Sequence, residues 1–142
     1  MVLTDINAYI KPVIANVPVA SAASATRNSS AIDRQNYLSA VLVATTGAAT
    51  GSPTDIAVNA KIQDSADGST GWADYTDPTT EATAAIAAVT AANTLGKTNV
   101  NLSGAKRYIR VVETVALTAG TSPTIGIASH VILGGATVVP AV

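Results

Sequence analysis

The side chains that could carry out chemistry in this chain are few and widely spaced. The sequence has one histidine, His130, and no cysteine, so a zinc site would lack its usual ligands and thiolate chemistry is excluded. There is no Gly-x-Ser-x-Gly motif, and no pair of carboxylates stands beside a nucleophile. We therefore predict that the chain is not an enzyme and binds no metal or cofactor. His130 is interpreted as a surface or interface residue.

Three aspartates could in principle gather around a calcium ion. Asp64, Asp67 and Asp74 lie close together in the sequence, but they lack the acidic ladder and closing glutamate of an EF-hand loop. We favour a tight turn at residues 64–69, in which aspartate side chains accept bonds from backbone N–H groups. In such a turn Gly68 can supply a positive φ.

Two aromatic residues and one basic cluster remain as possible binding groups. Trp72 and Tyr75 could form a sugar-binding platform, but core or interface packing is favoured in a chain with one Trp and no Phe. Lys106, Arg107 and Arg110 form the densest positive group. That group is small for nucleic-acid binding, so we interpret it as the solvent face of a strand or a contact to a partner's carboxylates.

The elements that must position these residues have the pattern of β-strands. Apolar and polar residues alternate over 56–62 and 125–133, which is the period of a half-buried strand. The strongest strand is predicted at 107–115, and a nearly continuous apolar strand at 37–44. Residues 81–92 are compatible with helix or strand, and we slightly prefer strand.

About seven short strands separated by turn signals predict an all-β domain. The expected architecture is an antiparallel β-sandwich or jelly-roll-like domain. Its core is predicted to include Ile109, Val111, Ile127 and Val131.

The first 35 residues differ from the rest. Pro12 and Pro18 interrupt any helix, and a run of small and polar residues follows. We therefore predict an extended N-terminal arm at 1–35 and a β-sandwich domain at 36–142. The apolar side chains of the arm should dock either on the domain itself or on a neighbour, and we predict that the arm crosses to a neighbouring subunit or to the capsid surface. These side chains are Val13, Ile14, Val17 and Val19.

Targeting signals and overall charge limit the location. The N-terminal stretch lacks the basic region of a signal peptide and contains Asp5, so export by that route is not expected. The sequence contains no run of 18 apolar residues, so we expect no membrane-spanning segment. Charged residues make up only 12% of the chain, against about 25% in typical domains, and the net charge is −1. A surface so poor in charge suits a subunit that is packed against neighbours.

Two segments carry a resemblance to a known group of proteins. Residues 61–74, a strand followed by Gln-Asp-Ser-Ala-Asp-Gly-Ser and then Trp and Asp, resemble a hairpin of small virion proteins of tailed bacteriophages. Residues 106–112, 120–123 and 133–135 resemble the C-terminal hairpin of the same group. The resemblance covers roughly 36–135 and is to head-decoration (cement) or other minor structural proteins.

This resemblance implies a subunit that binds the outside of an assembled capsid, often as a trimer, and reinforces it. The implied partners are the major capsid protein and other copies of the chain, with neither nucleic acid nor membrane, and the implied location is the virion surface. The alternatives are a tail-tube or head-completion protein, or a carbohydrate-binding module. The candidate interface residues are Val13, Ile14, Val17, Val19, Trp72, Tyr75, Arg107 and Arg110.

Overall fold

A computed structural model describes residues 5–22 and 25–139. A single-turn 3-10 helix, Ile6–Ala8, precedes the strands. The strands are β1 Lys11–Ala22, β2 Ala25–Asn28, β3 Ile32–Asp33, β4 Tyr37–Thr50, β5 Asp55–Ser65, β6 Ala73–Asp74, β7 Thr76–Asp77, β8 Ala82–Thr83, β9 Leu95–Asn101, β10 Tyr108–Thr118 and β11 Thr124–Ala136.

The strands form two antiparallel sheets that enclose one core. Sheet A has the order β1-β11-β4-β9, and sheet B has the order β2-β10-β5-β6, with β3 also paired to β10. A small third sheet joins β7 and β8. The predicted all-β, antiparallel sandwich is therefore confirmed.

The core lies between the inner faces of the two sheets. Alternate residues of each long strand point inward, because successive side chains of a strand lie on opposite faces. All four predicted core residues, Ile109, Val111, Ile127 and Val131, are buried. Burying this apolar surface is the main source of the stability that holds the sheets together.

The chain passes from one sheet to the other at two adjoining turns. β4 turns into β5 near Gly51, and β10 turns into β11 near Gly120, with φ values of 73° and 85°. The Thr121 N–H donates to the Gly51 carbonyl at 2.9 Å. A Cβ on Gly120 would collide with that same carbonyl oxygen, so close packing and backbone conformation both require glycine there.

The segment predicted as an extended N-terminal arm is extended, but it pairs with strands of the sandwich. β1 pairs antiparallel with β11 from Lys11 opposite Leu133 to Ala22 opposite Thr124, and β2 pairs with β10. The prolines do exclude helix, but an edge strand accepts them, since one side of its backbone makes no ladder bonds. Pro18 falls where the β1 register shifts between Asn16 and Val19. The proposed boundary at residue 35 therefore does not separate two units.

The segment that was ambiguous between helix and strand is extended. Residues 82–83 form β8, and the chain then follows β5 by isolated bridges at Val58–Val89 and Lys61–Ala85. The Ile86 N–H donates to the Ala60 carbonyl at 3.0 Å. The preferred strand forms only at 82–83, with isolated bridges at Ala85 and Val89, and the rest of this segment is irregular rather than helical.

Candidate interaction surfaces

The outer face of sheet B carries a continuous ladder of polar and aromatic side chains. Arg110 lies directly opposite Gln63, which lies directly opposite Asp74, on β10, β5 and β6. The Arg110 guanidinium stacks 4.6 Å from the centre of the Trp72 ring and donates to Gln63 Oε1 at 2.7 and 2.9 Å. Gln63 Nε2 and Lys61 Nζ then donate to the two Asp74 oxygens at 2.8 and 2.7 Å.

These contacts satisfy the ladder internally. The Lys61 ammonium and the Gln63 amide hold the pKa of Asp74 below its usual range. Trp72 and Arg110, two of the predicted interface residues, are brought together, but each already has the other as a partner. The guanidinium covers one face of the Trp72 ring.

Arg107 lies apart from this ladder. Its guanidinium donates twice to Asp33 Oδ2, at 2.7 and 3.1 Å, and stands 5.2 Å from the Tyr108 ring centre. The paired guanidinium lowers the pKa of Asp33, and Asp33 in turn raises the pKa of Arg107. Arg107 thus joins β3 to the start of β10, and its exposed charge is balanced within the chain.

Tyr75 is not available on the surface. Its ring is buried in the core, and its hydroxyl donates to the Asn101 carbonyl at 2.6 Å. Burial raises the pKa of this hydroxyl. A platform of Trp72 and Tyr75 is therefore not formed, and the prediction of Tyr75 as an interface residue does not fit its position. Its interpretation as a core anchor does.

The turn at 64–69 forms as predicted. Asp67 accepts bonds from the Thr70 hydroxyl at 2.6 Å and from the backbone N–H groups of Thr70 and Ser69 at 2.8 and 2.9 Å. These bonds, with a further one from Ser65, hold the pKa of Asp67 far below its usual range. Gly68 has a φ of 75° and packs against the Tyr108 ring. The Asp67 carboxylate therefore closes a turn, as the sequence suggested, and is not free to bind an ion.

A buried ion pair joins the two sheets at one margin of the core. Glu113 lies opposite Ala60 on the inner face of sheet B, and its side chain is only 1% exposed. Arg27 donates to Glu113 Oε2 at 2.6 and 3.0 Å, to the Val17 carbonyl at 2.8 Å and to the Ile127 carbonyl at 3.3 Å. One guanidinium therefore links β2, β10, β1 and β11. The period-two pattern of 107–115 places Glu113 on the same face as Ile109 and Val111, but it does not show that Arg27 is the partner of this carboxylate.

The outer face of sheet A is mainly apolar, in contrast to the polar outer face of sheet B. One row of directly opposed residues crosses all four strands: Ile14, His130, Val43 and Lys97. The adjacent row is Pro12, Ile132, Val41 and Asn99. His130 is half-buried among apolar neighbours on this face, as expected for a surface or interface residue.

Two open hollows lie on this same face. The larger, of about 590 Å³, is lined by residues including Ile10, Val41, Asp77, Asn99 and Ile132. The second, of about 420 Å³, lies toward the other end of the sheet and is lined by residues including Pro18, Thr45 and Ala128. Such hollows can accept apolar side chains of a partner.

The apolar residues predicted for the arm are divided by the pairing of β1. Val13 packs against the core, whereas Ile14 and Val17 are each 59% exposed and Val19 is 37% exposed. Val13 is therefore not a surface contact, because it lies opposite Val131 on the inner face. The other three remain on the surface of sheet A's edge strand.

In the range covered by 5–22 and 25–139, no three His, Cys, Asp or Glu residues come together in a group that could hold a metal ion. In the same part of the chain no helix is long and apolar enough to cross a membrane.

Comparison with solved structures finds this fold in part of the PBSX exported protein XepA. The match has a TM-score of 0.56 and 16% identity, and it covers 99% of this chain and 42% of XepA. The match shows the fold. This chain thus spans less than half the length of XepA.

Two other similarities have TM-scores below 0.5. The SPBc2 prophage-derived protein YomS has a TM-score of 0.37 and 13% identity over 93% of this chain and 98% of YomS. A chain of infectious bursal disease virus, Gx strain, has a TM-score of 0.43 and 13% identity over 92% of this chain and 33% of that one. No family model and no curated protein matches the sequence.

Proposed function

We propose that this chain is a structural subunit of a phage virion that binds and stabilises the outside of the capsid as a decoration protein. The observation that carries the proposal is the contrast between its two sheets. Sheet B pairs most of its charges internally, whereas sheet A presents an outer face with apolar side chains and hollows. Such a face suits attachment to a larger surface.

Two further points support a structural role over a catalytic one. The segment 61–74 forms the β5–β6 hairpin, as its resemblance to small virion proteins implied. The second implied hairpin is not formed, because β10 and β11 lie in different sheets. The aspartates that could have bound a metal instead close a turn or pair with cations. The phage-derived XepA shares the fold. A non-enzymatic subunit needs a stable scaffold and a contact face, and this domain provides both.

The proposed partners are the major capsid protein and further copies of this chain, with a trimer as the proposed assembly. A subunit of 14.1 kDa presents little area by itself. Stable interfaces bury about 1,600 Å² in total, so grouping three subunits would multiply the contacts made with a shell.

The test uses shells purified from the encoding phage after deletion of this gene. The purified chain should bind them saturably, should raise the temperature at which they rupture, and should appear on the outer surface in electron micrographs. Analytical ultracentrifugation of the free chain gives its oligomeric state. Absence of binding, together with polymerisation into tubes or incorporation into purified tails, would instead support a tail-tube protein.

A further inference from the structure

The edges of the two sheets differ in how they are protected from pairing with another chain. An edge strand presents unpaired N–H and C=O groups on which a further strand can form. β1 carries Pro12 and Pro18, which lack an N–H, and its pairing with β11 has two register shifts. The edge strands of sheet B, β2 and β6, have only four and two residues. β9, at the other edge of sheet A, has seven residues, no proline and an unbroken register, so it is the longest regular edge among the described strands.

The pairing of β9 with β4 decides which of its backbone groups face outward. Beyond the two ends of β9, the Leu102 N–H donates to the Leu38 carbonyl at 2.9 Å and the Thr46 N–H donates to the Thr94 carbonyl at 2.8 Å. Bonded and non-bonded pairs alternate along an antiparallel ladder. The even-numbered residues of β9 therefore bond to β4, and the odd-numbered residues direct their N–H and C=O groups away from the sheet.

The outward groups are closed at one end of β9 and open along the rest. At Asn101 the N–H donates to Asp77 Oδ2 at 2.8 Å, and the C=O accepts from the Tyr75 hydroxyl at 2.6 Å. Within the described residues no strand lies beside the outward groups that precede Asn101, and the one bond they make is from the Thr98 hydroxyl to the Asn99 carbonyl at 3.4 Å. The open edge thus consists of three residues, Leu95, Lys97 and Asn99.

Lys97 stands at the centre of this open edge. Leu95 beside it is 55% exposed, and an exposed apolar edge favours association. Lys97 is also exposed, and no carboxylate of the described residues forms an ion pair with it. The antiparallel register that uses all three open residues on both strands places Lys97 directly opposite the same lysine of a second copy, and like charges so opposed destabilise a strand pair. A shift by two residues would separate the lysines but would remove one of the three hydrogen-bonded pairs.

We propose that the charge of Lys97 keeps copies of this chain from joining edge to edge through β9. The barrier is the repulsion between two ammonium groups, because the backbone groups that pairing needs are present and regularly spaced. Along these three residues one side chain thus gives the protection that β1 obtains from prolines and sheet B from short strands. This inference goes beyond the proposed function and concerns the chain alone, so it is tested without a capsid.

The experiment compares three full-length variants with the wild-type chain. Lys97→Val removes the charge and adds a residue that favours strands. Thr114→Val places the same residue at an exposed position of β10, which is paired on both sides by β2 and β5, and is the matched control. Lys97→Glu removes the lysine but keeps a like charge between copies. Both positions are exposed, so circular dichroism and melting curves should show that each variant folds.

Association is measured by sedimentation velocity at low salt over a range of concentrations. Lys97→Val should associate beyond the wild-type oligomeric state, with an association constant at least about tenfold higher. Thr114→Val and Lys97→Glu should each sediment like wild type. An equimolar mixture of wild type and Lys97→Glu should associate, because it sets opposite charges against each other, and added salt should weaken that association.

Four outcomes would overturn the inference. Lys97→Val could sediment like wild type, which would mean that the edge is closed by something other than this lysine. Lys97→Glu could associate as strongly as Lys97→Val, in which case repulsion is not the barrier. Thr114→Val could associate equally, so that any exposed valine suffices. The mixture could fail to associate, which would show that the two side chains are not opposed; this arm does not use Lys97→Val, so a folding defect in that variant leaves the inference open to refutation.

Discussion

Replacing Arg27 by Met should destabilise the fold by about 3–5 kcal/mol, because it leaves a carboxylate buried without its cation. Met retains an unbranched apolar side chain, so the packing of the arginine stem is largely kept. Glu113 cannot turn to solvent to recover hydration, since its side chain is 1% exposed and faces the core. Its Oε1 atom accepts no hydrogen bond from the described residues, so Arg27 is its principal partner.

Replacing Glu113 instead of Arg27 should cost less stability. In Glu113→Leu the guanidinium keeps its bonds to the Val17 and Ile127 carbonyls and remains 22% exposed. The double variant Arg27→Met/Glu113→Leu removes both charges together, and apolar replacement of a buried pair is often nearly neutral. It should lie within about 1–2 kcal/mol of wild type, the remaining loss coming from the two carbonyls that Arg27 no longer bonds.

Urea unfolding at pH 7, followed by Trp72 fluorescence and circular dichroism, measures all four proteins. The expected result is a coupling energy of about 2 kcal/mol or more in the double-mutant cycle. An Arg27→Met variant within 1 kcal/mol of wild type would refute the reasoning, because it would mean that Glu113 is hydrated in the folded state. A double variant that is no more stable than Arg27→Met would also refute the reasoning.

Four other changes test separate features. Gly120→Ala should cost at least about 3 kcal/mol in thermal unfolding, since it adds overpacking to the strain of positive φ, whereas Gly71→Ala, with open space around it, should cost about 1–2 kcal/mol. Because the folded-state pKa of Asp67 is lowered, its contribution is present above about pH 4 and lost as the pH falls, so Asp67→Asn should reduce the drop in melting temperature between pH 7 and pH 2.5. Ile109→Ala should cost about 2–5 kcal/mol in urea, and an unchanged midpoint would contradict its burial. Deletion of residues 1–30 removes β1 and β2 and should abolish the β spectrum; a folded product would show that these strands are dispensable.

Local features of the fold were predictable from the sequence. The alternation over 56–62 and 125–133 specified strands and their inward faces, because a strand's period of two is set by its backbone. The turn at 64–69 was also predictable, because the interactions that form it are local. Asp67 and Gly68 act on atoms only a few residues away, and local bonds of this kind leave a signature in the sequence.

Long-range pairing was not predictable in the same way. The prolines of residues 11–22 suggested a separate arm, because a sequence pattern excludes helix without revealing which strand will accept an edge partner. Trp72 and Tyr75 lie three residues apart, yet Tyr75 is buried in the core and Trp72 stacks on the Arg110 guanidinium. Cross-strand ladders such as Arg110, Gln63 and Asp74 depend on register, and register follows from the packing of the whole sandwich.

The pairing of β1 with β11 has a consequence for how the protein is made. The two strands are separated by about a hundred residues, which a ribosome takes roughly 5–20 s to synthesise. During that time β1 has no partner in sheet A, and its apolar side chains and unpaired backbone edge are exposed in the nascent chain. β1 can therefore be ordered in sheet A only after β11 has been synthesised, and this interval is when the chain is most open to pairing with a neighbouring copy.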